Sequence, residues 1–152
     1  MPNLYIIAGP NGAGKTIASY TVLPEMLNCK EFVNADEIAK GLSPFQSDKA
    51  AITAGRLMLQ RINEHINNKV DFAFETTLST KSYVQTIQKA KILNYSVTIV
   101  YLWLSSSELA IERVKLRVNE GGHNIPDEVI RRKYLNGIKN LFHLHLSIAV
   151  TG

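Results

Sequence analysis

The chain has 152 residues, 45% of them hydrophobic and 20% charged, with nine Gly and five Pro. That size and balance describe one folded domain able to bury about 70% of its unfolded-state surface, and they exclude disordered, collagen-like and repeat architectures. The formal net charge of +4 is spread evenly, with an excess of two cations on either side of Ser105, so no basic arm for nucleic acid stands out and the bias is toward anionic small molecules.

In chain order, Leu4-Tyr5-Ile6-Ile7-Ala8 is an apolar run stopped by Gly9, and a helix-compatible stretch runs from Lys15 to Pro24. The opening therefore reads strand, glycine-rich loop, helix. Cys29 is the single cysteine; it cannot close an intrachain disulfide, which suggests a reducing compartment. Phe32-Val33 reads as a second brief strand before Asn34-Ala35-Asp36. From Asp48 to about Asn68, Ile52, Gly55, Leu59, Ile62 and Ile66 recur at helical spacing and predict an amphipathic helix. Phe72-Ala73-Phe74 gives a third strand ending at Glu75, followed by a helix through Tyr83, Ile87 and Ala90.

The most apolar strand is Val97 to Leu104, whose near-continuous hydrophobicity predicts burial on both faces. It is also far shorter than the ~20 residues of a membrane span, and Met1-Pro2-Asn3-Leu4 carries no signal-like pattern. The expected location is the cytoplasm, without membrane or nucleic-acid partners. Two helices follow, Glu108 to about Val118 and Pro126 to about Leu146, separated by Glu120-Gly121-Gly122-His123-Asn124. Strands alternating with helices predict an α/β fold, a mainly parallel sheet of four to five strands covered on both faces. With no linker or repeat, residues 1–152 read as one domain.

The chemistry begins with Gly9-Pro10-Asn11-Gly12-Ala13-Gly14-Lys15-Thr16, which fits the phosphate-loop pattern G-x-x-x-x-G-K-[ST] between the first strand and first helix. Its glycines let successive N–H groups converge on a phosphate, at the positive end of the helix dipole. Lys15 is expected to reach the outer phosphates and Thr16 to hold Mg²⁺. Ligands of open α/β sheets bind at the carboxyl ends of the strands, where Asp36 and Glu75 stand, with Thr76 and Thr77 next to Glu75. Asp36 suits the role of base or orienting carboxylate at a hydroxyl acceptor, and Glu75 that role or a contact to the metal through water. The other reading of Asp36 is an N-cap for the residues that follow.

Arg113 and Arg117 are four apart and share one helical face leading to Gly121-Gly122. Together they suit a phosphate clamp, with a closing lid over about 113–126; surface pairing with Glu112 or Glu120 is the competing reading. Three signals are set aside. Asn68-Lys69-Val70-Asp71 has the spelling of a guanine-reading motif but precedes a strand, at the wrong sheet edge. His143 and His145 point apart on a helix and make a poor metal pair. Arg131-Arg132-Lys133 reads as a solvated face. For His123, beside the glycine pair, contact with a ligand and a loop histidine with no role stand as the two readings.

Four blocks, Gly-Pro-Asn-Gly-Ala-Gly-Lys-Thr (9–16), Phe-Val-Asn-Ala-Asp-Glu-Ile-Ala (32–39), Phe-Glu-Thr-Thr-Leu-Ser (74–79) and Glu-Arg-Val through Gly-Gly-His-Asn-Ile-Pro (112–126), resemble the zeta-toxin family of P-loop kinases, particularly its short bacterial members. The likeness spans residue 4 to about 146. It implies a kinase-like three-layer fold and ATP/Mg²⁺-dependent phosphorylation of a hydroxyl, which in characterised toxins belongs to UDP-N-acetylglucosamine. It further implies phosphate and Mg²⁺ binding by Lys15 and Thr16, Asp36 as base, Glu75 and Thr77 in the acceptor pocket, Arg113 on the ATP phosphates, and a small antitoxin as partner. The family places a second arginine near Gly121-Gly122-His123 and adds a strand after the last helix, so the sheet is expected to lack its last edge strand. A nucleotide-binding module without turnover and a nucleic-acid-associated ATPase, the latter suggested by a pI of about 9.2, stand as alternatives.

Overall fold

Short apolar runs and helix-length amphipathic segments settle into the predicted order of elements, to which the fold adds a short helix and a 3-10 turn between the second strand and the amphipathic helix. The computed structural model describes residues 1–122 and 124–147. In it β1 (Asn3–Ala8) leads to α1 (Lys15–Glu25), β2 (Phe32–Val33) to α2 (Ala35–Leu42), and a 3-10 turn (Ser47–Ala50) to α3 (Ala51–Asn67). Then β3 (Phe72–Thr76) is followed by α4 (Ser82–Ile92), and β4 (Ser96–Tyr101) by α5 (Ser107–Asn119) and α6 (Asp127–Ser147).

The four strands form one parallel sheet in the order β2-β3-β1-β4. Side chains alternate across it. Leu4, Ile6, Phe72 and Phe74 pack on one face with Ile62 and Ile66 of α3 and Tyr83 and Ile87 of α4. Ile7 and Ala73 pack on the other with Leu23 of α1 and Cys29. A separate cluster joins Ile111 and Val114 of α5 to Ile130 and Tyr134 of α6, and the Tyr134 hydroxyl ties α6 to the segment after β4 by donating to the Leu104 carbonyl at 2.8 Å. Among the described residues no helix is long and apolar enough to cross a membrane.

Two expectations are corrected. The strand expected to be buried on both faces is an outer strand of the described sheet, where only Val97 is fully buried. The buried strands are β1 and β3, because burial follows position in the sheet and an apolar run does not encode position. The end of that run is spent outside the strand: Leu102 N–H donates to Ala8 O at 2.7 Å, Leu104 joins the α5–α6 cluster, and Trp103 is exposed. On α3 the buried face is Ala54, Ile62, His65 and Ile66, whereas Ile52 and Leu59 are exposed. The sheet edge beside this helix is only the two residues of β2, too little apolar surface to cover a full-length stripe. The expectation of a missing edge strand falls on residues 148–152 and lies outside the described residues.

Candidate active site

The phosphate loop is shaped by where glycine stands. Gly12 has φ +83°, and a Cβ there would lie 3.0 Å from both the Ala110 carbonyl oxygen and Arg113 Cβ. Bare backbone at this point therefore lets α5 close on the loop and sets Arg113 beside it. Gly14 precedes α1 with no side-chain cap, and the first turn of α1 holds no acidic residue. The first amides and the positive end of the helix dipole are thus left for an anionic ligand. This arrangement fits a nucleotide phosphate chain.

Lys15 is buried, and its Nζ donates to the carbonyls of Gly9 at 2.8 Å and Pro10 at 3.0 Å. Burial holds its pKa down to about 8, against the upward pull of Glu75 and Asp36, and the positive charges of Arg117 and Lys133 lower it further. Thr16 Oγ1 donates to Glu75 Oε2 at 2.9 Å. Burial pushes the Glu75 carboxyl up, opposed by Lys15 and by that hydrogen bond. The β1–β3 register, Ile7 opposite Glu75 and Ala8 opposite Thr76, sets the carboxylate alongside the loop.

Asn34 joins these groups. It is buried, caps α2 by accepting from Asp36 N–H at 2.9 Å, and donates through Nδ2 to Glu75 Oε2 at 2.8 Å and Thr16 Oγ1 at 3.3 Å. The N-cap reading of Asp36 is thereby corrected: Asn34 caps the helix, and the Asp36 side chain is free to line the site.

A cavity of about 420 Å³ is lined by Asn11, Gly12, Gly14, Lys15, Thr16, Asp36, Glu75, Arg113 and Arg117. Gly9, Pro10 and Ala13 frame the loop outside that lining; Pro10 O accepts from Ala13 N–H at 3.2 Å. A second cleft of about 240 Å³ shares Thr16, Asp36 and Arg117 with the first and continues to Lys40, Ser47 and Asp48. Among the described residues neither Arg113 nor Arg117 forms an ion pair. Thr77 stands apart from both cavities: its hydroxyl donates to Ser79 Oγ at 2.9 Å, its carbonyl packs on Gly137 of α6, and Asn140 of α6 donates to the neighbouring Leu78 O at 2.5 Å. A larger hollow of about 690 Å³ lies along β2 between Tyr20 and Arg61 and holds none of the predicted site residues.

Gly121 and Gly122 end α5 in a Schellman turn, with Gly121 at φ +93° and N–H groups donating to Val118 O and Arg117 O. His123 is outside the described residues. Asp71, at the end of the discarded guanine-like motif, accepts from Asn3 N–H at the opposite sheet edge. Among the described residues no group of three or more His, Cys, Asp or Glu is placed to hold a metal ion. Sequence reasoning passed over two groups. Asn34 stood in a quoted block with no role, although an Asn directly before a helix is a capping signal. Lys133, placed on a solvated face, carries its charge close enough to act on Lys15.

A parallel sheet with a phosphate loop after its inner strand β1 and carboxylates at the ends of the next two defines a P-loop kinase-like fold. The sequence profile of the zeta toxin family matches residues 1–151, and the chain belongs to that family. It is 30% identical over 127 residues to an uncharacterized protein of Haemophilus influenzae, a match covering 83% of this chain and 88% of that one. The fold is similar to a chain of the PezAT chromosomal toxin–antitoxin system of Streptococcus pneumoniae, with a TM-score of 0.68 and 17% identity over 96% of this chain. This chain spans 65% of that one's length. A shikimate kinase of Acinetobacter baumannii, solved with shikimate, superposes with a TM-score of 0.56 and 21% identity, covering 98% of this chain and 80% of that one. Family and fold agree: a chain of the zeta toxin family with a P-loop kinase-like fold.

Proposed function

We propose that this chain transfers the γ-phosphoryl group of ATP to a hydroxyl of a small metabolite. The observation that carries the reading is the position of Asp36, where the cavity of the phosphate loop and the adjoining cleft meet. A nucleotide held by the loop and an acceptor entering the cleft would bring donor phosphate and acceptor hydroxyl together at its carboxylate. Asp36 then takes the acceptor proton. Lys15, Arg113 and Arg117 offset charge spreading over the transferring group, which is where catalysis of phosphoryl transfer is concentrated. The donor set fits magnesium: Thr16 Oγ1 would hold the ion, with Glu75 behind it directly or through water, and the bound ion would neutralise phosphate charge.

UDP-N-acetylglucosamine, the acceptor implied by the family resemblance, is the first candidate; the same resemblance puts Thr77 on the acceptor side, which its place outside both cavities does not support. An antitoxin is proposed as partner, supported by the fold shared with the PezAT chain. The lid over 113–126 is proposed to close from the end of α5. The test is Asp36→Asn, which should lose about 10²- to 10⁴-fold in turnover while binding nucleotide as wild type does. Full turnover in this variant removes Asp36 from the chemistry. Label from γ-labelled ATP, followed into a bacterial metabolite extract, identifies the acceptor.

A further inference from the structure

We infer that Asn34 is a positioning residue of this site, whose amide fixes Glu75 and Thr16 in the geometry that receives the metal–nucleotide complex. The inference rests on the kinase reading for its turnover arm and on geometry for the rest. Capping commits one end of the side chain: Oδ1 accepts from Asp36 N–H at 2.9 Å. With the carbonyl end held, the amide nitrogen must face the opposite way, and there it meets Glu75 Oε2 at 2.8 Å and Thr16 Oγ1 at 3.3 Å. Ser, Thr and Asp cap helices as well as Asn does. None of them carries N–H donors on its far side.

The consequence for Glu75 is specific. Both donors, Thr16 Oγ1 and Asn34 Nδ2, use the same oxygen, Oε2, and among the described residues no hydrogen bond uses Oε1. A carboxylate held through one oxygen keeps the other for what enters the cavity it lines. Asn34 also ties three elements at one point, the start of α2, the end of β3 and the first turn of α1. It sets the Thr16 hydroxyl relative to Glu75, and α2 relative to both. Its near-complete burial leaves the amide few alternative rotamers, so the arrangement is preformed before ligand arrives.

The variants separate capping from positioning. Asn34→Ser keeps a cap acceptor and loses the amide donors; Asn34→Ala loses both. Asn34→Ser should melt within a few degrees of wild type and bind ADP without Mg²⁺ as wild type does, because the loop amides and Lys15 are untouched. The enhancement of ADP affinity by Mg²⁺, read by titration calorimetry, should fall at least fivefold, and kcat should fall at least tenfold with KM for ATP changed less than threefold. Asn34→Ala should show the same losses plus a lower melting temperature. If Asn34→Ser restores wild-type Mg²⁺ dependence and kcat, the residue is only a cap and the inference is overturned. A wild-type chain that binds ADP with Mg²⁺ but phosphorylates no acceptor counts against the kinase reading alone, since the calorimetric comparison still decides the role of Asn34.

Discussion

Lys15 is the residue at which burial and function conflict. Its folded-state pKa of about 8 lies below the ordinary 10.5, so between those values the native chain binds fewer protons than the unfolded one. Stability then rises with pH across that window, and the cost of burying the ammonium is carried in full below about pH 8. Phosphate oxygens reverse the preference by favouring the charged form. Nucleotide binding should therefore take up a proton above about pH 8, and affinity should weaken as pH rises further, approaching tenfold per unit by linkage. Calorimetry in two buffers of different ionisation heat at alkaline pH measures the uptake, which Lys15→Ala should abolish. Equal binding heats in both buffers for wild type would mean that Lys15 is already charged in the free protein. The motif spacing alone made Lys15 and Thr16 legible in the sequence. Asn34 was not legible in the same way, because its partners Thr16 and Glu75 are 18 and 41 residues away and only the strand order brings them together.

At the scale of elements, α6 shows how a local preference yields to packing. Alanine is favoured over glycine inside a helix by about 1 kcal/mol, so Gly137 should be improvable by that rule. A Cβ on Gly137, however, runs into the backbone carbonyl of Thr77, and neither backbone gives way cheaply. Overpacking of this kind costs about 1–3 kcal/mol, which outweighs the propensity gain. Gly137→Ala should lower the urea midpoint, whereas Gly55→Ala, whose Cβ on α3 would meet nothing within 4 Å, should raise stability by about 0.5–1 kcal/mol. A gain at both positions would show that α6 does not press on the loop after β3. Apart from α2, the existence of the helices and the starts of the strands were legible because apolar runs and the turn residues between them are local signals. The outer place of β4 was not, since Val97 to Leu104 is more apolar than either inner strand and yet has a described neighbour on one side only.

For the molecule as a whole, the site lies where the loop after β1 and the end of β3 meet α5, while α6 reaches the sheet core separately through Leu144. The α5–α6 cluster is distinct from the two clusters on the sheet, while the cavity takes Lys15 and Thr16 from α1, Glu75 from β3, and Arg113 and Arg117 from α5. A ligand bound there bridges the sheet core and the α5–α6 layer, so occupancy should be read as global stability. At a hundred times the dissociation constant, linkage gives about 2.7 kcal/mol, which for a chain of this size is a melting shift of roughly 5 to 10 °C. Lys15→Ala should remove most of the shift. Arg113→Ala should remove at least half of it: if its hydrogen bond to a phosphate is lost, an affinity loss of about 1.5–3 kcal/mol leaves about 0.3–1.3 kcal/mol at the same ligand concentration. The two variants distinguish how the bridge is made: Lys15 reports on the loop alone, whereas Arg113 reports on whether α5 grips the same ligand. A full shift retained in Arg113→Ala would leave α5 as a wall of the cavity rather than half of the clamp, and phosphate binding would rest on the loop and α1.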